Sequence, residues 1–315
     1  MSDYLHNHIE FKKVLRAVER EQNINISLVE KDYWIMHVLY GLQKCGFKFE
    51  LKGGTSLSKG YRIIHRFSED IDIRIEPPST MNVKVGKNHL KPSHCESRKI
   101  YYDWLARNIK INGIIKVERD NQFDNDKYFS GGIRLFYKSS QVFVEGLKEG
   151  VLLEAGFDSV KPNIPLTISS WALDFAQKNN MNVINNKANN VKCYHPGFTF
   201  VEKLQTIATK FRYYKETRKI PANFIRHYYD VACLLDNDIV KSFIGTKEYL
   251  IHKKKRFPIK DQVISLSKQE AFLLNNCEIR NNFEKEYKKT RALYYKEEFS
   301  LNDILGKILE NLDSL

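Results

Sequence analysis

Cysteine is scarce and scattered in this chain. The five cysteines (Cys45, Cys95, Cys193, Cys233 and Cys277) are odd in number and include no C-x-x-C pair. That excludes a disulfide framework and a cysteine-based zinc site, and it fits a reducing compartment. No run approaches the roughly 20 apolar residues that a membrane span needs. Residues 1–6 lack the apolar core of a signal peptide. We therefore expect no membrane partner and a soluble, cytoplasmic protein. No repeat recurs at solenoid periods. A P-loop is also missing, because Gly53 and Gly54 are followed by Lys59-Gly60, the reverse of the G-K-[ST] ending that such a loop requires.

What is present is a large, basic, core-forming chain. Its 315 residues suffice for one large or two modest domains. A hydrophobic content of 42% with 12% aromatics rules out a disordered chain. The formal net charge of +13 favours polyanionic partners such as RNA or DNA.

Chemistry concentrates in one stretch. L-K-G-G-T-S-L-S-K over residues 51–59 is followed by R-F-S-E-D-I-D-I-R over residues 66–74. The bare glycine pair, Gly53 and Gly54, lets backbone N–H groups approach a phosphate closely, with Thr55, Ser56 and Lys59 alongside. In a strand, residues two apart point to the same face. Asp70 and Asp72 thus project together while Ile71, Ile73 and Ile75 face inward. Two such carboxylates repel unless a cation neutralises them, and an all-oxygen set suits Mg²⁺ or Mn²⁺. A phosphate cradle beside a divalent-metal pair equips a site for phosphoryl or nucleotidyl transfer.

With these residues the chain resembles the nucleotidyltransferase-like toxins of type IV toxin–antitoxin and phage abortive-infection systems, the AbiEii/AbiGii family. Two further pieces resemble the same family: E-K-D-Y-W at residues 30–34, and Glu202-Lys203 with R-H-Y-Y-D at residues 226–230. The likeness spans about residues 27–236. It implies the polymerase-beta-like nucleotidyltransferase fold, and with the strand and helix patterns along the chain we expect an α+β chain: a nucleotidyltransferase domain with a mixed or antiparallel sheet (residues 1–165), then a mainly helical domain completing the active-site cleft (residues 166–315).

The resemblance also implies roles. Asp70 and Asp72 would hold the metal, joined by a third carboxylate from a later strand. Glu154 is the candidate for that third place, since a lone acid in the apolar run 151–155 needs a partner or a metal; Asp158 is the runner-up. Gly53, Gly54, Thr55, Ser56, Lys59 and Ser68 would orient the phosphates of an NTP. Lys203 would add a charge near the triphosphate, Asp230 would position Lys203 or the base or ribose, and Arg226 would bind nucleotide. The acceptor implied is RNA, notably a tRNA 3′ end, with a partner antitoxin acting without a stable complex. Transfer to a protein or small molecule, and a binding module without turnover, are the alternatives.

Along the chain, residues 8–20 read as an amphipathic helix. Ser27 and Glu30 read as a capping box opening a second helix, with Lys31 and Asp32 on a solvated face or lining the nucleotide cleft. Residues 47–51 and 70–75 read as strands around a helix at 55–64. A loop is expected over 79–93, a helix over 98–111, and strands over 114–118, 133–137 and 151–157. The asparagine-dense residues 179–190 read as a loop near the domain boundary. From residue 196 the periodicity is helical. Lys and Arg outnumber Asp and Glu more than two to one over residues 200–260. That region's Tyr213, Tyr214, Tyr228 and Tyr229, with the basic run 253–256, offer a track for single-stranded nucleic acid. The last 50 residues continue as amphipathic helices.

Overall fold

The computed structural model describes residues 2–141, 147–296 and 299–315. The chain divides into two compact units. One is Met1–Tyr61 with Ser68–Tyr194, the other Arg62–Phe67 with His195–Leu315.

The first unit is built on a mixed seven-stranded sheet. Its strands are β1 (Phe49–Lys52), β2 (Asp70–Ile75), β3 (Ile114–Asp120), β4 (Ser130–Tyr137), β5 (Val151–Gly156), β6 (Asn163–Ile168) and β7 (Ala188–Tyr194). The order is β3-β4-β5-β2-β1-β7-β6. β2 runs antiparallel to β1 and parallel to β5, and β1 runs parallel to β7. In β2 the alternation works as period two demands: Ile71, Ile73 and Ile75 are buried and the intervening Asp70, Asp72 and Arg74 are half-buried. The centre of the sheet is therefore where the paired aspartates emerge.

Helices α1 (Phe11–Gln22), α2 (Ile26–Lys44), α4 (Pro92–Asn108) and α5 (Trp171–Lys178) belong to this unit. α1 buries Phe11, Val14, Leu15 and Val18. α2 corrects the capping expectation. Its N-cap is Asn25, whose side chain accepts from the Ser27 backbone N–H, so Ser27 lies inside the first turn. Nor is the 30–32 face solvated: Glu30, Lys31 and Asp32 are all buried, Glu30 accepting from the Ser139 hydroxyl and the Ser140 N–H while Lys31 and Asp32 meet Glu69 and Lys59. Between β1 and β2 the expected helix is shorter. A turn, α3 (Gly53–Thr55), widens into a π-type turn over Ser56–Gly60 and stops, with Arg62 in a left-handed conformation.

The asparagine-dense run also differs from expectation. It ends in β7, where Asn189 and Asn190 are strand residues, and Asn186 is buried with its amide on the Tyr33 hydroxyl and the His37 ring. Burial beside α2 supplies partners that a loop would have taken from water.

The second unit is helical: α6 (Pro196–Thr217), α7 (Arg226–Leu235), α8 (Asp238–Phe243), α9 (Lys247–Arg256), α10 (Ile259–Gln262), α11 (Glu270–Leu273), α12 (Cys277–Lys289) and α13 (Leu301–Asn311). α6 buries the expected stripe of Phe200, Leu204, Ile207, Ala208 and Phe211. Phe283 of α12 sits among Phe211, Tyr214 and Phe224, with ring centroids 5.3–6.0 Å away, so this C-terminal helix builds the core. The aromatic track is corrected here. Tyr214, Tyr228 and Tyr229 are buried, leaving Tyr213 exposed at 47%. Tyr228 donates its hydroxyl to the Ala271 carbonyl, and the Tyr229 hydroxyl accepts from the His65 N–H.

Candidate active site

The loop after β1 is shaped by what it must pass. Gly53 has φ +69°, and a Cβ there would lie 2.1 Å from Oδ2 of Asp72. Glycine is needed on both counts: left-handed backbone, and a carboxylate against the bare Cα. Thr55 then turns inward and donates its Oγ1 hydrogen to the Asp70 carbonyl at 2.5 Å. Gly54, Thr55 and Ser56 are buried. This hydroxyl fastens the loop to the start of β2.

Asp72 is cross-strand partner to Lys52 on one side and to Glu154 on the other. Three carboxylates, Asp70, Asp72 and Glu154, thus share one face of adjacent parallel strands. Burial, then repulsion from Asp72 and from Asp70, raises the Glu154 carboxyl to about 8. Asp158 lies beyond the end of β5, where its Oδ1 meets Lys87 Nζ at 3.0 Å.

A cation already leans on the face. Lys148 Nζ is 3.1 Å from Asp70 Oδ2 and 3.4 Å from Oδ1. Its backbone is fixed from behind: the Lys148 N–H donates to Glu69 Oε2 at 3.2 Å, and the Lys148 carbonyl accepts from Lys31 Nζ at 2.5 Å. Lys31 also lies 3.7 Å from Glu69, both nearly inaccessible, and burial lowers the Lys31 ammonium to about 8. Next to it on α2, buried Asp32 accepts from the Trp171 N–H at 2.8 Å and pairs with Lys59 at 2.7 Å. Lys59 lies over the Trp171 ring, 4.7 Å from its centroid. The structure thus turns Lys59 towards α2 and α5. Ser68 is half-buried ahead of β2.

Does this set suit a divalent metal? The donors are oxygens only, mutually repelling, and one of them, Asp70, pairs with the Lys148 ammonium. Among the described residues no three His, Cys, Asp or Glu side chains close around one point as a metal cage. Mg²⁺ seldom uses such a cage; one or two carboxylates, waters and substrate phosphates complete its octahedron. Asp70 and Asp72 fit that need, with Glu154 adjoining.

In the helical unit a second charged cluster is buried. Arg66 grips Asp230 with Nε at 2.6 Å from Oδ1 and Nη2 at 2.7 Å from Oδ2, and Lys203 Nζ lies 2.8 Å from Oδ2. Although burial opposes it, Arg66 and Lys203 hold the Asp230 carboxyl well below the usual range. Arg226 is half-buried one turn before Asp230 on α7.

Comparison with known families decides the assignment. The family described as nucleotidyl transferase AbiEii toxin, type IV TA system, matches residues 37–302. The chain belongs to this AbiEii family. No curated protein matches it. The matched span takes in all seven strands, the carboxylates Asp70, Asp72 and Glu154, and the Arg66–Asp230–Lys203 cluster. AbiEii proteins are nucleotidyl transferase toxins of type IV toxin–antitoxin systems, which implies a cognate antitoxin. No helix among the described residues is long and apolar enough to cross a membrane.

Three contributors escaped the sequence reading. Arg66 stands four residues before Asp70 in the quoted segment, so its partnership with residue 230 had a signal nearby but no stated role. Glu69 lies in the same segment without a stated role, and Lys148 carried no signal, because only folding brings it to Asp70 and Lys31.

Proposed function

We propose that this AbiEii protein transfers a nucleotidyl group from an NTP to an RNA hydroxyl, using Asp70, Asp72 and Glu154. The observation that carries the reading is the carboxylate ladder itself: Asp72 flanked by Asp70 and by Glu154, pressed against Gly53. A group of like charges this close calls for positive charge beside it, and of these carboxylates Asp70 is met by the Lys148 ammonium.

Asp70 and Asp72 would hold Mg²⁺, which when bound supplies positive charge to the triphosphate. Backbone N–H groups of the Gly53–Gly54 turn would donate to phosphate oxygens, with Thr55 keeping that turn against β2. Lys148, once Asp70 is neutralised, would be released towards the phosphates. Glu154, whose carboxyl is raised by burial and by repulsion from Asp72 and Asp70, would accept the proton of the attacking hydroxyl. That oxygen bonds to the α-phosphorus, the bond to the β-phosphate oxygen breaks, and pyrophosphate leaves. On the helical unit, Lys203 would serve as a phosphate-binding cation whose direction Asp230 sets. The net charge of +13 supports a polyanionic acceptor.

The test uses purified protein, Mg²⁺, total RNA and each NTP in turn, labelled at the α- or the γ-phosphate. Transfer predicts α-label, and no γ-label, in the RNA fraction. Label in protein would replace the acceptor. Label in neither fraction, with NTP binding intact, would leave a binding module.

A further inference from the structure

β5 continues past its carboxylate. Two residues beyond Glu154, Gly156 pairs with Ser130 of β4 and with Arg74 of β2. Alternate residues share a face, so Gly156 and Ser130 extend the face that carries Glu154, about 7 Å farther along the strand. A cavity of about 420 Å³ opens there. Gly156, Ser130, Lys52, Val85, Asn125 and Phe129 are among its lining residues, and the Lys87–Asp158 ion pair borders it too. The missing side chain at Gly156 keeps this part of the lining open: a Cβ there would meet only the Phe129 carbonyl oxygen, at 3.3 Å.

One buried guanidinium braces the walls. Arg98 of α4 donates from Nε to the Lys127 carbonyl at 2.8 Å, and from Nη1 to those of Lys84 (2.6 Å) and His89 (3.1 Å). Its Cζ lies 4.1 Å from the centroid of the Phe129 ring. Asn125 Oδ1 accepts from the Phe129 N–H at 2.7 Å, which leaves the amide NH₂ as a donor. Burying an arginine among carbonyls is costly, and here it fixes both loops that form the cavity.

Its size lies within the range of small-molecule sites, and its lining mixes apolar groups (Val85, Phe129, Phe157) with hydrogen-bonding and charged ones. An aromatic wall offers stacking to a planar heterocycle. The distance from Glu154 leaves room for a ribose. We infer that this cavity receives the nucleobase of the NTP whose phosphates meet Asp70 and Asp72, an assignment that rests on the transfer reading above. Phe129 stacks on the base, and Asn125 and Ser130 read its edge.

Calorimetry of the full-length protein with each NTP and with inorganic triphosphate tests this without requiring turnover. Gly156→Val adds bulk to the lining. It should weaken every NTP at least tenfold and narrow the differences among the four, while inorganic triphosphate binds as in the wild type. Ser130→Val on the neighbouring strand should do the same, and serves if Gly156→Val lowers the melting temperature. Unchanged NTP affinity in the folded variants overturns the assignment. So does a rise confined to the KM for RNA, which would give the cavity to a base of the acceptor. Selective NTP binding by a wild-type protein that transfers nothing would sink the transfer reading and spare the cavity. Transfer by a wild type whose filled variants bind NTP normally would do the reverse.

Discussion

Gly53 and Asp72 occupy what would be a single place if either were larger: a Cβ on residue 53 would overlap Oδ2 of Asp72 at 2.1 Å. The short aspartate side chain has little room to swing away, since Glu154 flanks it on the neighbouring strand. Gly53→Ala should therefore displace the carboxylate and add about 1–2 kcal/mol of left-handed backbone strain. We expect transfer to fall on the order of 100-fold, as for other displacements of about 1 Å. Melting temperature and kcat measured side by side check this; a variant with wild-type kcat would mean that Asp72 need not stay where it is.

Thr55 allows a finer test of the same loop. Its hydroxyl satisfies the Asp70 carbonyl inside the fold. Thr55→Val keeps the volume and should cost about 1–3 kcal/mol through the unsatisfied carbonyl. Thr55→Ser should restore most of the stability and activity. If serine fails as badly as valine in denaturant unfolding, packing of the methyl group outweighs the hydrogen bond.

Glu154 makes stability depend on pH. Its folded carboxyl, at about 8, holds a proton more tightly than the ordinary value of 4.5. Folding is thus favoured at low pH, and that advantage is lost as pH rises from 4.5 through about 8. In metal-free buffer Glu154→Gln should be more stable than the wild type at pH 8, by a few kcal/mol, the rise from 4.5 to about 8 setting an upper bound of about 5 kcal/mol at about 1.4 kcal/mol per pKa unit. The two should converge near pH 5, and adding Mg²⁺ at pH 8 should narrow the gap. Thermal melts over that range decide; a gap of one size at every pH would remove charge crowding as its cause.

Asp230 behaves in the opposite sense. Its folded carboxyl lies below the ordinary 3.8, so its contribution is full above that value and fades as pH falls through the more acidic range. Asp230→Ala leaves Arg66 and Lys203 buried without their shared counter-charge and should destabilise by about 3–5 kcal/mol at neutral pH. Urea unfolding at pH 7 and pH 3 should show the penalty shrinking at the lower pH.

The aspartate pair was legible because period-two alternation is local: three isoleucines fix which way Asp70 and Asp72 point. Gly53 was legible as a close-approach residue, though its neighbour Asp72 was not. By contrast, the burial of Glu30, Lys31 and Asp32 depends on Ser140, Glu69 and Lys59, which sequence distance hides. β6 was missed for a different reason. Its segment N-I-P-L-T-I holds Pro165, which disfavours a central strand and is tolerated here at the sheet edge. β7 was obscured by the asparagines at its start, whose poor strand propensity is overridden by pairing with β6 on either side of them. The tyrosines of α6 and α7 looked like a surface track only because their burial against Phe283 and Ala271 comes from segments far along the chain.

The central claim is that the carboxylate ladder performs nucleotidyl transfer, and single-turnover labelling tests it most directly. Wild type, Asp70→Asn, Asp72→Asn and Glu154→Gln would each be mixed with RNA, Mg²⁺ and the α-labelled NTP that the wild type uses. We predict labelled RNA from the wild type and a loss of at least about 1,000-fold in each aspartate variant, with NTP still bound. Labelling by Asp70→Asn or Asp72→Asn at the wild-type rate would contradict the account and place the chemistry elsewhere.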